Sequence, residues 1–220
     1  MAMTANSKNK KAFSYVNHDA SGKNFLNKNF NKTESYASRF TNSTFTNTSF
    51  IGSKFKFCNL NNTTFEGCLI RGALFRKSKM GNVNFKSSII CASVFDRTSL
   101  KDCYFHDSII VSSNVNGKIP QDRLINTDII TNYYPTSEFN GLLLQKIEKL
   151  RENNFIRRSS VLHRKKGLLD TAAITLLIRE FGEEFLLSNV DKINHEISKD
   201  FHTLSYIKLL LKRYQTVDIL

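Results

Sequence analysis

Between residues 25 and 115 a large apolar side chain returns at every fifth position. The series runs Phe25, Phe30, Ser35, Phe40, Phe45, Phe50, Phe55, Leu60, Phe65, Ile70, Phe75, Met80, Phe85, Ile90, Phe95, Leu100, Phe105, Ile110 and Val115, and Ser35 alone breaks it. Eighteen of nineteen positions are apolar in a chain that is 40% hydrophobic overall. Two residues before each of these, from Thr33 to Ser113, stands a small or compact residue: Ser43, Thr48, Cys58, Cys68, Ala73, Val83, Ser88, Thr98 and Cys103 are examples. A period of five fits neither a helix at 3.6 nor a strand at 2. It requires a chain that turns a corner every five residues, with one large and one small side chain pointing inward each time. Fixed-period self-similarity of this kind predicts a solenoid.

The small-x-Phe/Leu-x-x pattern resembles the pentapeptide repeat family, over residues 23–117. The resemblance implies a β solenoid, the right-handed quadrilateral β-helix, with four pentapeptides in each 20-residue coil. Residues twenty apart should then stack, and the columns agree. One reads Phe25, Phe45, Phe65, Phe85, Phe105; a second reads Phe30, Phe50, Ile70, Ile90, Ile110. The third reads Ser35, Phe55, Phe75, Phe95, Val115, and the fourth Phe40, Leu60, Met80, Leu100. The β-helix is placed at 21–118. Residues 1–20 read as a polar arm with a capping turn around Phe13 and Tyr15. Residues 119–135 read as a frayed coil or linker between Pro120 and Pro135, in which Ile125 and Ile130 keep the phase.

After Pro135 the period becomes helical, so 136–220 is read as an α-helical region. Ser137 is a candidate N-cap, followed by a stripe of Phe139, Leu143, Ile147 and Leu150. A second helix should run from Asp170 to a stop at Gly182. A third carries Val190, Ile193, Ile197 and Phe201 after Asn189 as cap. A fourth follows Thr203 with Leu204, Ile207, Leu211 and Tyr214. Four amphipathic helices suit a small bundle or a layer docked on the solenoid.

The residue before each inward one should face solvent. At one corner these are Leu69, Leu74, Ile89, Val94 and Ile109, an apolar patch that calls for a cover. Either the protein's own helices or a dimer or partner interface would supply it. The third column is flanked by Lys54, Lys56, Arg76, Lys77 and Arg97, a basic face suited to an acidic protein or to phosphates. No exposed aromatic residue is read in register with it, which argues against single-strand stacking. A second basic cluster, Arg157, Arg158, Arg164, Lys165 and Lys166, surrounds Ser159 and Ser160. It reads as a solvated interhelical loop, with a contact to an acidic partner or membrane surface, or a basophilic kinase target, as alternatives.

Charge changes one implication of the resemblance. Some pentapeptide repeat proteins imitate duplex DNA with negative charge and protect DNA gyrase. Residues 21–118 hold 14 basic against 5 acidic side chains, net +9, within a chain of net charge +13. That potential has the wrong sign for such mimicry.

Catalytic, cofactor and metal motifs are absent from the pattern. The five His lie at no metal-ligand spacing, and no phosphate-binding glycine loop or nucleophile elbow occurs. Cys58, Cys68 and Cys103 fall on small inward positions, whereas Cys91 reads as a surface thiol. Four Cys without a CxxC pair suggest reduced thiols, and neither a secretory signal nor a bilayer-length apolar run is visible. A β-helix followed by helices is also similar to the front part of some bacterial type III effectors, including HECT-like ubiquitin ligases. Those ligases use a Cys in a C-terminal lobe, and no Cys follows Cys103. The expectation is therefore a non-enzymatic protein-binding scaffold without cofactor, in the bacterial cytoplasm or delivered to a host cell. Its partner would be another protein or a second copy, with nucleic acid as the alternative.

Overall fold

The computed structural model describes residues 13–215, which form two compact units divided between Thr131 and Asn132. The first is a four-sided β-solenoid of parallel strands. Each side of a coil is one pentapeptide. Where a side forms a strand it is typically three residues long, the middle side chain points inward, and the next corner follows at once, as in Thr44–Thr46 and Asn84–Lys86. Corner residues two places after the inward one adopt positive φ: Asn27, Asn42, Asn47, Asn62 and Asn82 do so, as do Gly52, Gly67 and Gly72. Asn and Gly tolerate the left-handed region best, which is a physical reason for the Asn-rich composition.

Register is held at twenty residues per coil. Phe25 pairs with Phe45, Phe65 with Phe85, Phe55 with Phe75, and Ile70 with Ile90. The first column is a six-stranded sheet, and the second and third each hold four strands. The fourth side is joined by single bridges through Asp19, Arg39, Asn59 and Lys79. Phe rings in the first and third columns lie parallel, with centroids 4.7 Å apart for Phe85 and Phe105 and 5.3 Å for Phe55 and Phe75, whereas Phe30 and Phe50 in the second are tilted. Face-to-face stacking here follows from the ladder spacing of about 4.8 Å, which leaves little freedom for offset.

The small inward residues bind adjacent coils together. Ser88 Oγ accepts from Cys68 N–H at 3.0 Å and lies 3.2 Å from Phe65 O and 2.8 Å from Lys86 O. Thr48, Thr63 and Thr98 donate to the carbonyls of Phe25, Phe40 and Phe75, each 23 residues back. Cys68 and Cys103 direct their thiols at Phe45 O and Met80 O, both at 3.2 Å. Smallness alone does not define the position; most occupants are also donors. Ser35, the break in the apolar series, is buried with a hydroxyl that has no partner among the described residues.

The coil is longer at both ends than 21–118. Val16 bridges Tyr36 and Asp19 bridges Arg39, while Phe13 stacks on Phe30 at 4.7 Å and Tyr15 meets Phe40 edge-on. At the other end Leu124 pairs with Phe105 and Ile129 with Ile110, so the step has shortened to nineteen. The phase therefore passes to Leu124 and Ile129, and Ile125 lies exposed. One residue is lost between Val115 and Ile119, where Gly117 turns at positive φ. Lys118 then stands where a small residue would. Its ammonium donates to Phe95 O at 2.9 Å, the bond that Thr98 makes to Phe75 O one coil earlier.

The second unit is helical: α1 (Gly141–Lys149), α2 (Asn154–Ser159), α3 (Thr171–Phe181), α4 (Glu183–Asn189), α5 (Ile193–Glu196) and α6 (Leu204–Gln215). Asp170 and Gly182 bound α3 as expected; the Asp170 side chain accepts from Ala173 N–H. Asn140, not Ser137, caps α1, accepting from Leu142 and Leu143 N–H, because 136–138 form a separate single turn. Asn153 caps α2 in the same way. Val190, Ile193, Ile197 and Phe201 are all buried but do not share one helix. Asn189 ends α4, where its amide donates to Phe185 O. No helix among the described residues is long and apolar enough to cross a membrane.

Candidate binding face

The third side of the solenoid gathers the basic residues singled out above. Outward positions stack in three parallel rows. Glu34, Lys54, Leu74 and Val94 form one, and Tyr36, Lys56, Arg76 and Asp96 another. Ala37, Phe57, Lys77 and Arg97 turn the corner beside them, all at positive φ. Beneath lie Phe55, Phe75 and Phe95, fully buried, so the backbone carrying the charges is anchored from within.

The cations are not equivalent. Lys54 Nζ lies 2.5 Å from Glu34, and Asp96 takes both Arg76 at 2.7 Å and Arg97 at 3.4 Å. Desolvation by itself would raise the Asp96 carboxyl, but hydrogen bonds and charge from the two arginines outweigh it and hold it below its ordinary value. Among the described residues no carboxylate lies within ion-pair distance of Lys56 or Lys77. Lys77 Nζ instead stands 5.3 Å from the Phe57 ring centroid.

The face also holds the exposed aromatic residues that sequence reading found absent. Tyr36 is 48% and Phe57 46% exposed, and their rings meet edge-to-face at 5.4 Å. They occupy the first and second places after an inward residue.

The expected apolar patch divides. Leu69, Ile89 and Ile109 are buried, with relative exposures of 3%, 3% and 0%, and Cys91 and Val111 beside them are buried too. Leu74 is half-buried and Val94 is 44% exposed. The strands Ile89–Cys91 and Ile109–Val111 thus have both faces out of water. The expectation that position 91 presents a surface thiol is corrected by the same burial; Arg71 Nε lies 3.4 Å from the Cys91 sulfur.

The second basic cluster is not one loop. Arg157 and Arg158 end α2, where Arg157 donates to Asn154 and Arg158 pairs with Asp200 at 3.0 Å. Arg164 donates to Leu169 O and lies over the Tyr133 ring at 3.7 Å. Lys165 and Lys166 are exposed in a single helical turn. Ser159 is buried and donates to Ile156 O, which removes it as an accessible hydroxyl.

A comparison with family models matches residues 38–115 to the pentapeptide repeat region. This stretch is a pentapeptide-repeat solenoid. No curated protein matches the chain in sequence. Among solved structures, a trypsin-treated form of QnrB1, a plasmid-mediated fluoroquinolone resistance protein, is 16% identical with a TM-score of 0.32. That match covers 46% of this chain and 55% of the other, so the chain spans about half of that relative. A pentapeptide repeat protein from the Arabidopsis thaliana thylakoid lumen is 17% identical, covering 43% of this chain and 66% of that one, with a TM-score of 0.29. Rfr23 from the cyanobacterium Cyanothece 51142 is 14% identical, covering 60% of this chain and all of its own, with a TM-score of 0.30.

Within the pentapeptide-repeat solenoid the thiols are packing elements. Cys58, Cys68 and Cys103 are buried at small positions, and burial pushes the Cys68 and Cys103 thiols up to about 12. Among the described residues no group of three or more His, Cys, Asp or Glu could hold a metal ion. His163, in the helical unit, is buried with Nε2 3.0 Å from Ile147 O and Nδ1 without a partner among the described residues. Burial, aided by the Arg151 charge, lowers its pKa.

Proposed function

We propose that this protein is a non-enzymatic scaffold that binds another protein through the third face of its solenoid. The observation that carries the reading is the charge of that face. Five cations, Lys54, Lys56, Arg76, Lys77 and Arg97, meet two carboxylates, Glu34 and Asp96, which leaves a residual +3. Solvated charges scattered on a surface do little, but cations held in register on a stiff ladder focus potential on an acidic partner. Buried, reduced thiols suit a reducing compartment, either bacterial cytoplasm or a host cell into which an effector is delivered. Gyrase protection through an acidic DNA-like surface is opposed by the net +9 of residues 21–118.

The test is affinity capture from nuclease-treated lysate with wild type and with Lys56→Glu/Lys77→Glu, read by mass spectrometry. A protein recovered near stoichiometry by wild type should be lost by the double variant, whose melting temperature should not fall, since neither lysine has an ion-pair partner among the described residues. Equal recovery by both removes the face from the argument. A second reading, association with nucleic acid, draws on the same cations together with Tyr36 and Phe57. It requires recovery that disappears with nuclease and affinity that falls steeply with salt.

A further inference from the structure

Phe57 occupies a left-handed corner of a kind that the solenoid fills most often with Asn or Gly, and in its own column with Ala37, Lys77 and Arg97. Its φ is +56°, and it is the one aromatic residue among the described residues at positive φ. A bulky side chain in the left-handed region is a genuine outlier, because its Cβ crowds the following carbonyl. The side chain lies outside the hydrophobic core and is 46% exposed. Strain that the fold does not need is a reason to look for binding. What surrounds the ring is specific. Tyr36 meets it edge-on at 5.4 Å, and Lys77 stands 5.3 Å from its centroid. Lys56 precedes it in the chain and pairs in register with Arg76.

We infer that the Tyr36–Phe57 ledge, rimmed by Lys56 and Lys77, docks an acidic protein segment through an aromatic or aliphatic side chain. This rests on the scaffold reading above and names its partner class. Exposed rings beside unpaired cations are the composition of an interface hot spot, where an anchor is desolvated and a charged rim sets the approach. Carboxylates of the segment would meet Lys56 and Lys77, which lie one coil apart, about 4.8 Å along the ladder. A polynucleotide fits less well. The cations Lys56 and Lys77, unpaired among the described residues, span a single coil step, whereas a phosphate backbone running along the rows would next meet cations already paired with Glu34 and Asp96. The two rings touch each other edge-to-face, so no slot is open between them for a base.

The experiment is selection of a random-peptide display library on the immobilised full chain. Recovered peptides are then titrated by fluorescence anisotropy, with labelled oligothymidine as competitor. Enriched peptides should combine Asp or Glu with an aromatic or aliphatic residue. Phe57→Asn should weaken them at least tenfold while the melting temperature holds or rises, because Asn suits the corner better; Phe57→Gly serves as a second such variant. If Lys56→Glu/Lys77→Glu abolishes binding and Phe57→Asn does not, the ring anchor is wrong and the basic scaffold face stands. If neither variant changes affinity, both readings fall. No enrichment, enrichment without acidic residues, or displacement of the peptide by oligothymidine overturns the inference.

Discussion

Ser88→Ala and Ser53→Ala make the same chemical change at two fully buried small positions, yet the solenoid should respond to them differently. Ser88 Oγ accepts the Cys68 N–H at 3.0 Å, and alanine would leave that amide without a partner in the core. Ser53 Oγ only donates to Phe50 O, which keeps a bond from Ser53 N–H. The amide twenty residues before Ser53, that of Thr33, is already turned onto Phe30 O. Losing a satisfied hydrogen bond costs about 0.5–1.5 kcal/mol, and orphaning a buried donor adds about 1–3. The expected losses are therefore about 1 kcal/mol for Ser53→Ala and about 2–3 for Ser88→Ala. At about 2–4 °C per kcal/mol, heat unfolding followed at the β-sheet circular dichroism band should separate the two variants clearly. The chain already contains the control. Ala73 and Val83 lack a hydroxyl at small positions, and the amides twenty residues earlier, of Ser53 and Thr63, bond to Phe50 O and Leu60 O. Equal destabilisation by the two substitutions would show that the position is selected for size alone, and the bridging role would fall.

Two further predictions concern titratable groups. None of the four buried thiols should react with a disulfide reagent in the native protein, and all four should react after denaturation; rapid native labelling of Cys91 would contradict its burial. For His163 the native pKa is lowered by burial, so the unfolded chain takes a proton near its ordinary value of about 6.5 while the native helical unit does not. Stability should thus be unaffected by this group above about pH 6.5 and fall as pH drops below it. His163→Gln should flatten the slope only in part, because His202 is lowered by burial as well. Unchanged or rising stability between about pH 6.5 and 5 would refute this. Paired carboxylates with lowered pKa, such as Glu148, Glu180 and Asp191, lose their contribution in a separate window, as pH falls below about 4.

The candidate binding face was partly legible in the sequence. Lys54, Lys56, Arg76, Lys77 and Arg97 follow from the pentad phase, and so did the chance to see Glu34 and Asp96, each twenty residues from a basic partner. Tyr36 and Phe57 were not legible as a pair, because they stand 21 residues apart at different outward slots, off the 20-residue stacking register. Their mutual contact depends on a corner backbone that no side-chain pattern reveals.

What the sequence determined by itself is what a short repeat imposes locally. One inward Phe and one small residue every five residues can be satisfied only by a chain that turns each time; the 20-residue coil is what the family resemblance implies, and the matching columns Phe25 to Phe105 and Phe30 to Ile110 agree with it. Asp170 and Gly182 bounded α3 for the same reason, since caps act within a turn of the residues they serve. Tertiary structure decided the rest. It buried Leu69, Ile89 and Ile109 from positions that locally face outward. It dropped one residue before Ile119 and refilled the lost donor with Lys118, and it chose Asn140 over Ser137 as the cap of α1. These outcomes depend on groups distant in the chain, or on a single backbone step, and periodicity carries no information about either.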